Sequence, residues 1–381
     1  MITRIRGGRV IDGGAVREGQ YVYFGEGKIL SVTEQELPHD AELDAAGQYV
    51  SPGFIDMHTH GALGVDFASA TPAEIVRASE FHLAHGTTTI LPTVTASAPD
   101  VTRRALDAIR CAMRRSDARM HIAGAHLEGP YFSLKQAGAQ DPSLITAPVR
   151  AEYTALCEEY PGVIRRWSYA PERDDGGEFC RYIAAHGILP SAGHTDAVYS
   201  DMCTARAAGC RLITHLYSCT STVTRDHGFR RLGVIECAYL WDDMDVEIIA
   251  DGCHLPPELI RLIVKLKGVS RVSLVTDSLR VTGTDARFSS VGTTPCIIED
   301  GVCKLRDRSA FAGSIATADR LVRVCVQAGI PLADAVRMAS ENPARVLGLN
   351  AGRLAPGADA DILFFDGSIR ISRVISGGVP V

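Results

Sequence analysis

Six of the 12 histidines in this 381-residue chain share one context, the end of a short apolar, β-prone run. Such runs end in His58-Thr59-His60, His126-Leu127-Glu128-Gly129-Pro130, Gly193-His194-Thr195 and Thr214-His215-Leu216. Another is followed by Asp251-Gly252-Cys253-His254, and another ends in Thr276-Asp277-Ser278. Imidazole nitrogen and carboxylate oxygen together suit zinc and iron(II). Side chains two apart on a strand share a face, so His58 and His60 point the same way. Glu128, His194 and His215 arrive from different strands and can close on one ion. Such a site keeps a position for water, whose pKa falls toward about 7 on zinc. Asp277 can then serve as base and acid. Singly, each residue also has a plainer reading. Glu128 can be a turn carboxylate, His215 a hydrogen-bonded core histidine, and Asp277 a helix cap. It is the recurrence at the same place on several strands that favours a metal site.

The elements that must position these groups are legible as a pattern. Eight β-prone runs cover residues 54–60, 87–94, 120–127, 163–169, 188–193, 211–216, 245–250 and 272–276. Helical patterns such as TPAEIVRASEFHLAHG and AVYSDMCTARAAGC lie between most of them, the second closed by Gly209 as a C-cap. The repetition predicts a (β/α)8 TIM-like barrel over 53–344, with the polar strand ends at its active face. A doubly wound sheet is the other architecture this alternation allows. No GxGxxG follows the first run and no GxxxxGK[ST] occurs, which argues against dinucleotide and P-loop sites. Residues 1–52 and 345–381 are both β-rich, with Gly-rich turns such as Gly25-Glu26-Gly27. Neither end alone can bury a face, so together they predict one small β-sandwich domain.

The formal net charge of −6 gives no electrostatic reason for a nucleic acid or anionic membrane partner. Any anion must be recognised locally. No apolar run reaches the roughly 18 residues of a membrane span. The N-terminus lacks a signal-peptide core, and the 11 cysteines show no CxxC pattern. Scattered thiols fit a reducing, cytoplasmic setting. Cys253 has no base beside it for nucleophilic work, and His82, His85, His121 and His186 read as structural or solvated.

Longer motifs carry a resemblance. PGFIDMHTHG at 52–61 and GRLAPGADADILFFD at 352–366 resemble the amidohydrolase superfamily. HLEGPYF (126–132), SAGHTDA (191–197), THLYS (214–218), IADGCHLPP (249–257), VTDS (275–278) and FAGS (311–314) resemble the N-acetylglucosamine-6-phosphate deacetylases within it. The resemblance spans nearly the whole chain. It implies removal of the N-acetyl group from an amino-sugar 6-phosphate, giving acetate and glucosamine 6-phosphate. It implies Glu128, His194 and His215 as metal ligands, Asp277 as the catalytic carboxylate and His254 beside the scissile amide. Asp251 goes with the substrate contacts, as do the Phe311, Ala312 and Gly313 loop and Ala139 and Gln140, where the family has a small residue and His. Ser218 and Cys219 stand where the family usually has Asn-Ala near the phosphate. Arg225 best matches the phosphate-binding arginine, in a segment, TRDHGFRRLG, of unusual length.

His58 and His60 are both present, where some members have lost the pair, so one or two divalent ions, zinc or iron, can be held. Strand four ends in Ala170-Pro171-Glu172, so no lysine offers a carboxylated bridge there. The resemblance also implies a homodimer, with a neighbour completing the phosphate pocket. Two alternatives stand beside this reading. One is an amidohydrolase acting on another N-acetylated sugar, a cyclic amide or an N-acyl amino acid. The other is a silent metal-binding or regulatory protein.

Overall fold

Eight parallel strands close into one barrel in the computed structural model, which describes residues 1–381. In chain order they are Phe54–Thr59, Thr87–Thr95, Ala125–Glu128, Ile164–Tyr169, Leu189–Ala192, Leu212–Ile213, Asp245–Ile248 and Val272–Leu274. Each pairs with its neighbour in parallel. The last meets the first at the functional end. There Asp277 N donates to His58 O and His60 N donates to Ser278 O, both at 2.8 Å. All eight anticipated runs are barrel strands, so the doubly wound alternative falls.

The connecting helices form for local reasons. Helix Pro72–Ala84 starts at a capping box, Thr71 with Glu74, with Pro72 in its first turn. It buries Ile75, Val76 and Leu83 against the barrel. Helix Tyr199–Ala208 ends at Gly209 in the left-handed conformation (φ 114), as its sequence predicts. No helix is long and apolar enough to cross a membrane.

Both chain ends form the two sheets of a second unit. One sheet orders Lys28–Thr33, Tyr21–Gly25, Ile2–Arg6 and Ala41–Asp44. The other orders Val379–Pro380, Ile371–Ser376, Ile362–Phe365, Tyr49–Pro52, Arg9–Asp12 and Ala15–Arg17. Ile5, Val22 and Ile29 from the first pack with Val10, Val50, Phe364 and Ile375 from the second. The hairpin turn is tighter than anticipated. Gly25 pairs with Lys28, leaving Glu26 (φ 53) and Gly27 (φ 74) as a two-residue turn.

Two features depart from the sequence reading. Helix Glu341–Leu347 runs through residue 345, and its Ala344 and Leu347 pack with Ile55 and Met57 under the barrel. The chain therefore re-enters the small unit beyond 345, where Leu354 joins its core. After the last barrel strand comes an unanticipated antiparallel sheet, Phe288–Val291, Thr294–Glu299 and Val302–Leu305. Its buried Val291, Cys296 and Cys303 pack on Leu279, Ala139 and Ala312, forming one wall of the barrel mouth.

Candidate metal centre and active site

The barrel register brings the strand ends into one buried cluster. Glu128 ends strand three, opposite Thr95 on one side and Ser168 on the other. Its Oε1 lies 3.3 Å from His58 Nε2, 3.2 Å from His194 Nε2 and 3.3 Å from His215 Nε2. His60 Nε2 is 3.4 Å from Glu128 Oε2 and 3.1 Å from Asp277 Oδ1. Two groups of potential ligand atoms result: His58, His60 and Asp277, and Glu128, His194 and His215. All six residues are buried. His194 (φ 47), His215 (φ 27) and Asp277 (φ 47) adopt left-handed backbone, which turns each side chain sharply into the mouth. Such conformations cost on the order of 1–3 kcal/mol each and collect at functional sites.

The far nitrogens of the imidazoles are already engaged. His58 Nδ1 donates to Glu247 Oε1 (2.9 Å), His194 Nδ1 to Gln136 O (2.9 Å) and His215 Nδ1 to Ser218 O (3.0 Å). In neutral tautomers, three Nε2 lone pairs therefore face one carboxylate oxygen. Acceptors cannot crowd an acceptor without a cation among them, so the donor set fits a divalent metal. The field agrees. Burial disfavours charge on His58, yet Glu128, Asp277 and Glu247 raise its pKa to about 10. Burial resists charge on Asp277 too, but His58 and His60 hold its carboxyl below the usual value.

A cavity of about 260 Å³ opens over this cluster. His60, Glu128, His194, His215 and Asp277 form its floor, with His254 at one side. Ala139, Gln140, Ser218, Cys219, Phe311, Ala312 and Gly313 line it as the sequence suggests. The Phe311 ring lies 4.8 Å from that of His254. Cys219 packs over Gly138, where a Cβ would come within 2.6 Å of Sγ.

Two residues are not where the sequence reading put them. Asp251 is behind His254 and outside the cavity lining. Its Oδ2 accepts from His254 Nδ1 (2.9 Å), and its Oδ1 accepts from the Cys253 and His254 backbones (both 2.8 Å). It orients His254 with its other nitrogen free, and both carboxylate oxygens are occupied. Arg225 sits on an exposed hairpin, Thr224–Asp226 with Phe229–Arg231, and lines no part of the cavity.

Other participants went unnoticed in the sequence. Glu247 and Arg166, on strands seven and four, are fully buried beneath His58. Arg166 grips Glu247 through Nη1 to Oε2 (2.5 Å) and Nη2 to Oε1 (2.9 Å). Glu247 Oε1 also accepts from the His215 backbone (3.0 Å), so one carboxylate orients residues from both ligand groups. Tyr217, Leu279 and Val291 complete the cavity wall. A charged residue inside an apolar strand, as in DVEI or IRRWSY, was the available signal for Glu247 and Arg166.

A β/α barrel with a two-sheet companion and a histidine-carboxylate cluster at its strand ends defines a class of metal-dependent hydrolases. The chain belongs to the amidohydrolase family, whose profile matches residues 49–381. Among its relatives is the N-acetylglucosamine-6-phosphate deacetylase of Lysinibacillus sphaericus, 29% identical over 98% of this chain and 96% of that one. The enzyme of the same name from Bacillus subtilis (strain 168) is 30% identical, over 94% and 91%. The fold also superposes on a variant of the N-acetyl-D-glucosamine-6-phosphate deacetylase of Mycobacterium smegmatis in complex with N-acetyl-D-glucosamine-6-phosphate. That match has a TM-score of 0.91 at 30% identity and covers 100% of this chain and 98% of the other.

Proposed function

We propose that this chain removes the N-acetyl group from N-acetylglucosamine 6-phosphate, giving glucosamine 6-phosphate and acetate. The observation that carries the reading is the placement of Asp277 and His254 around one cavity with Glu128, His194 and His215 in its floor. A divalent metal, zinc or iron, held by Glu128, His194 and His215 supplies Lewis acidity toward water and the acetamide carbonyl when bound. His58, His60 and Asp277 offer a second group, so the stoichiometry is one or two per chain.

The chain's own residues do the rest. His254, its Nδ1 fixed by Asp251, turns Nε2 toward the acetamide, and with both ring nitrogens protonated that Nε2 donates to the acetamide oxygen. Asp277 accepts the proton of the water that adds to the acetamide carbon. It returns that proton to nitrogen as the C–N bond breaks, because an amide nitrogen leaves poorly as an anion. Phe311, Ala312 and Gly313 hold one side of the sugar, while Ala139, Ser218 and Cys219 hold the other.

The phosphate needs a cation, and no Lys or Arg lines the cavity. We therefore assign that contact to Arg225 of the partner subunit in a homodimer, delivered on its exposed hairpin. Eleven free thiols support placing the enzyme in the cytoplasm.

The test is acetate release across a panel. It holds the 6-phosphates of N-acetylglucosamine and its epimers, the unphosphorylated sugars, a cyclic amide and an N-acyl amino acid. The highest kcat/KM is expected with N-acetylglucosamine 6-phosphate. A preference for an unphosphorylated sugar or a cyclic amide would replace the proposed substrate.

A further inference from the structure

The resemblance sets Gln140 among the substrate contacts, and its surroundings here give it other work. It is only 5% exposed, and both ends of its amide are engaged. Nε2 donates to Glu128 Oε2 at 2.7 Å, and Oε1 accepts from Ala96 N at 3.1 Å. The amide orientation is fixed by these partners. Reversed, its carbonyl would face the carboxylate and its NH2 would face the Ala96 N–H. Ala96 directly follows strand two and Glu128 ends strand three, so the side chain ties two adjacent strand ends together.

This arrangement divides the two oxygens of Glu128. Oε2 is held by a neutral donor at 2.7 Å, with His60 Nε2 farther off at 3.4 Å, leaving the carboxylate its full charge. Oε1 is left facing the three Nε2 atoms of His58, His194 and His215. Without the amide, the carboxylate could rotate and present either oxygen. A ligand free to rotate must be ordered when the ion binds, and that lowers affinity.

We infer that Gln140 is a positioning residue that locks Glu128 as a one-oxygen ligand and so sets the affinity for the metal ion. The inference rests on the proposed role of Glu128 as a ligand. It departs from a role for Gln140 in reading the sugar.

The experiment is a zinc titration of the metal-free protein against a chromophoric chelator, with no substrate present. Gln140→Met keeps the bulk but cannot donate, and Gln140→Ala removes the side chain. Each is expected to weaken zinc binding by about 10- to 100-fold, the range for partners of metal ligands. KM for the 6-phosphate, measured at saturating zinc, reads any contact of Gln140 with the substrate separately from its effect on the ion. The melting temperature of the metal-free protein establishes that each variant is folded. Wild-type zinc affinity in either folded variant would overturn the inference, and a raised KM in the same variant would return Gln140 to the sugar. A Glu128→Ala control separates the premise. If that variant keeps wild-type zinc affinity, Glu128 is not a ligand, whatever Gln140 does.

Discussion

Asp277 and Glu247 are both buried carboxylates beside His58, and their partners give them opposite tasks. Asp277 lines the cavity, and only His58 and His60 restrain its Oδ1. Asp277→Asn should keep the protein folded and largely metal-loaded while lowering kcat at least about a hundredfold, the scale of general acid–base work. Metal analysis beside turnover checks this; near-normal kcat would mean another group moves the proton. Glu247 is clamped by Arg166 and His58, away from the cavity. Burial would raise its pKa, but Arg166 and His58 bring it down to about 2. Its stabilising contribution is therefore present above its unfolded pKa and lost as pH falls toward 2. Glu247→Gln leaves the Arg166 guanidinium buried without a counter-charge, a loss of about 3–5 kcal/mol. Urea unfolding should show that deficit at pH 7 and a smaller one below about pH 4. A deficit unchanged at low pH would mean that ionisation of Glu247 is not its source. The ligands were legible in the sequence because they end apolar strands in repeated positions. Glu247 and Arg166 were not, because one charged residue within a strand normally reads as its solvent face.

Elements were legible where pattern and local signals agreed. The barrel strands are buried on both faces, and Gly209 marks a helix end. The sheet at 288–305 was missed although its Asp300-Gly301 turn (φ 54 and 78) is a hairpin signature. Only one of its faces packs, on a small cluster around Leu279. The boundary at 345 was missed for a related reason. Helix Glu341–Leu347 is short and follows directly on helix Leu332–Ala339; its packing on Ile55 and Met57, with Asn342 on Val272 O and Arg345 on Asp245, ties it to the barrel. In the small unit, Asp361 precedes strand Ile362–Phe365 and is 6% exposed, with one backbone donor, Gly377 N, at 2.8 Å. Burial outweighs that bond and raises its pKa to about 6. For an acid the sign is clear. Stability is greatest below the unfolded pKa and falls as pH rises through 6, because the folded state resists ionisation. Asp361→Asn keeps an acceptor for Gly377 and removes the charge. It should raise stability by about 1–3 kcal/mol at pH 7.5 and change it little at pH 4. Thermal melts of both proteins at the two pH values check this, and an equal shift at both would refute the electrostatic cause.

At the scale of the whole molecule, a chain of net charge −6 must gather an anionic sugar with local cations, and its own cavity lining has none. Arg225 was singled out by resemblance and by its place after strand six. The sequence could not show that its hairpin projects outward, because a short polar strand pair reads alike whether it folds over its own site or away from it. The hairpin carries Phe229 at 78% exposure, with Val223 and Leu240 also exposed nearby in sequence. Exposed apolar residues beside Arg225 suit a contact between copies. If Arg225 serves the partner's cavity, Arg225→Ala should raise KM for the 6-phosphate roughly 10- to 100-fold, the loss of a charge-assisted hydrogen bond. Mixing distinguishes service to the partner from service at home. Arg225→Ala and Asp277→Asn protomers are each defective alone. In a mixed dimer, the Arg225→Ala protomer keeps Asp277 and receives Arg225 from its neighbour, so one of two sites is complete. Random re-pairing makes half the dimers mixed, so activity at low substrate should return to about a quarter of wild type. If Arg225 works in its own chain, no mixed dimer has a complete site and the mixture stays at the average of its parents. A protein that sediments as a monomer at assay concentration would remove the neighbour from the site altogether.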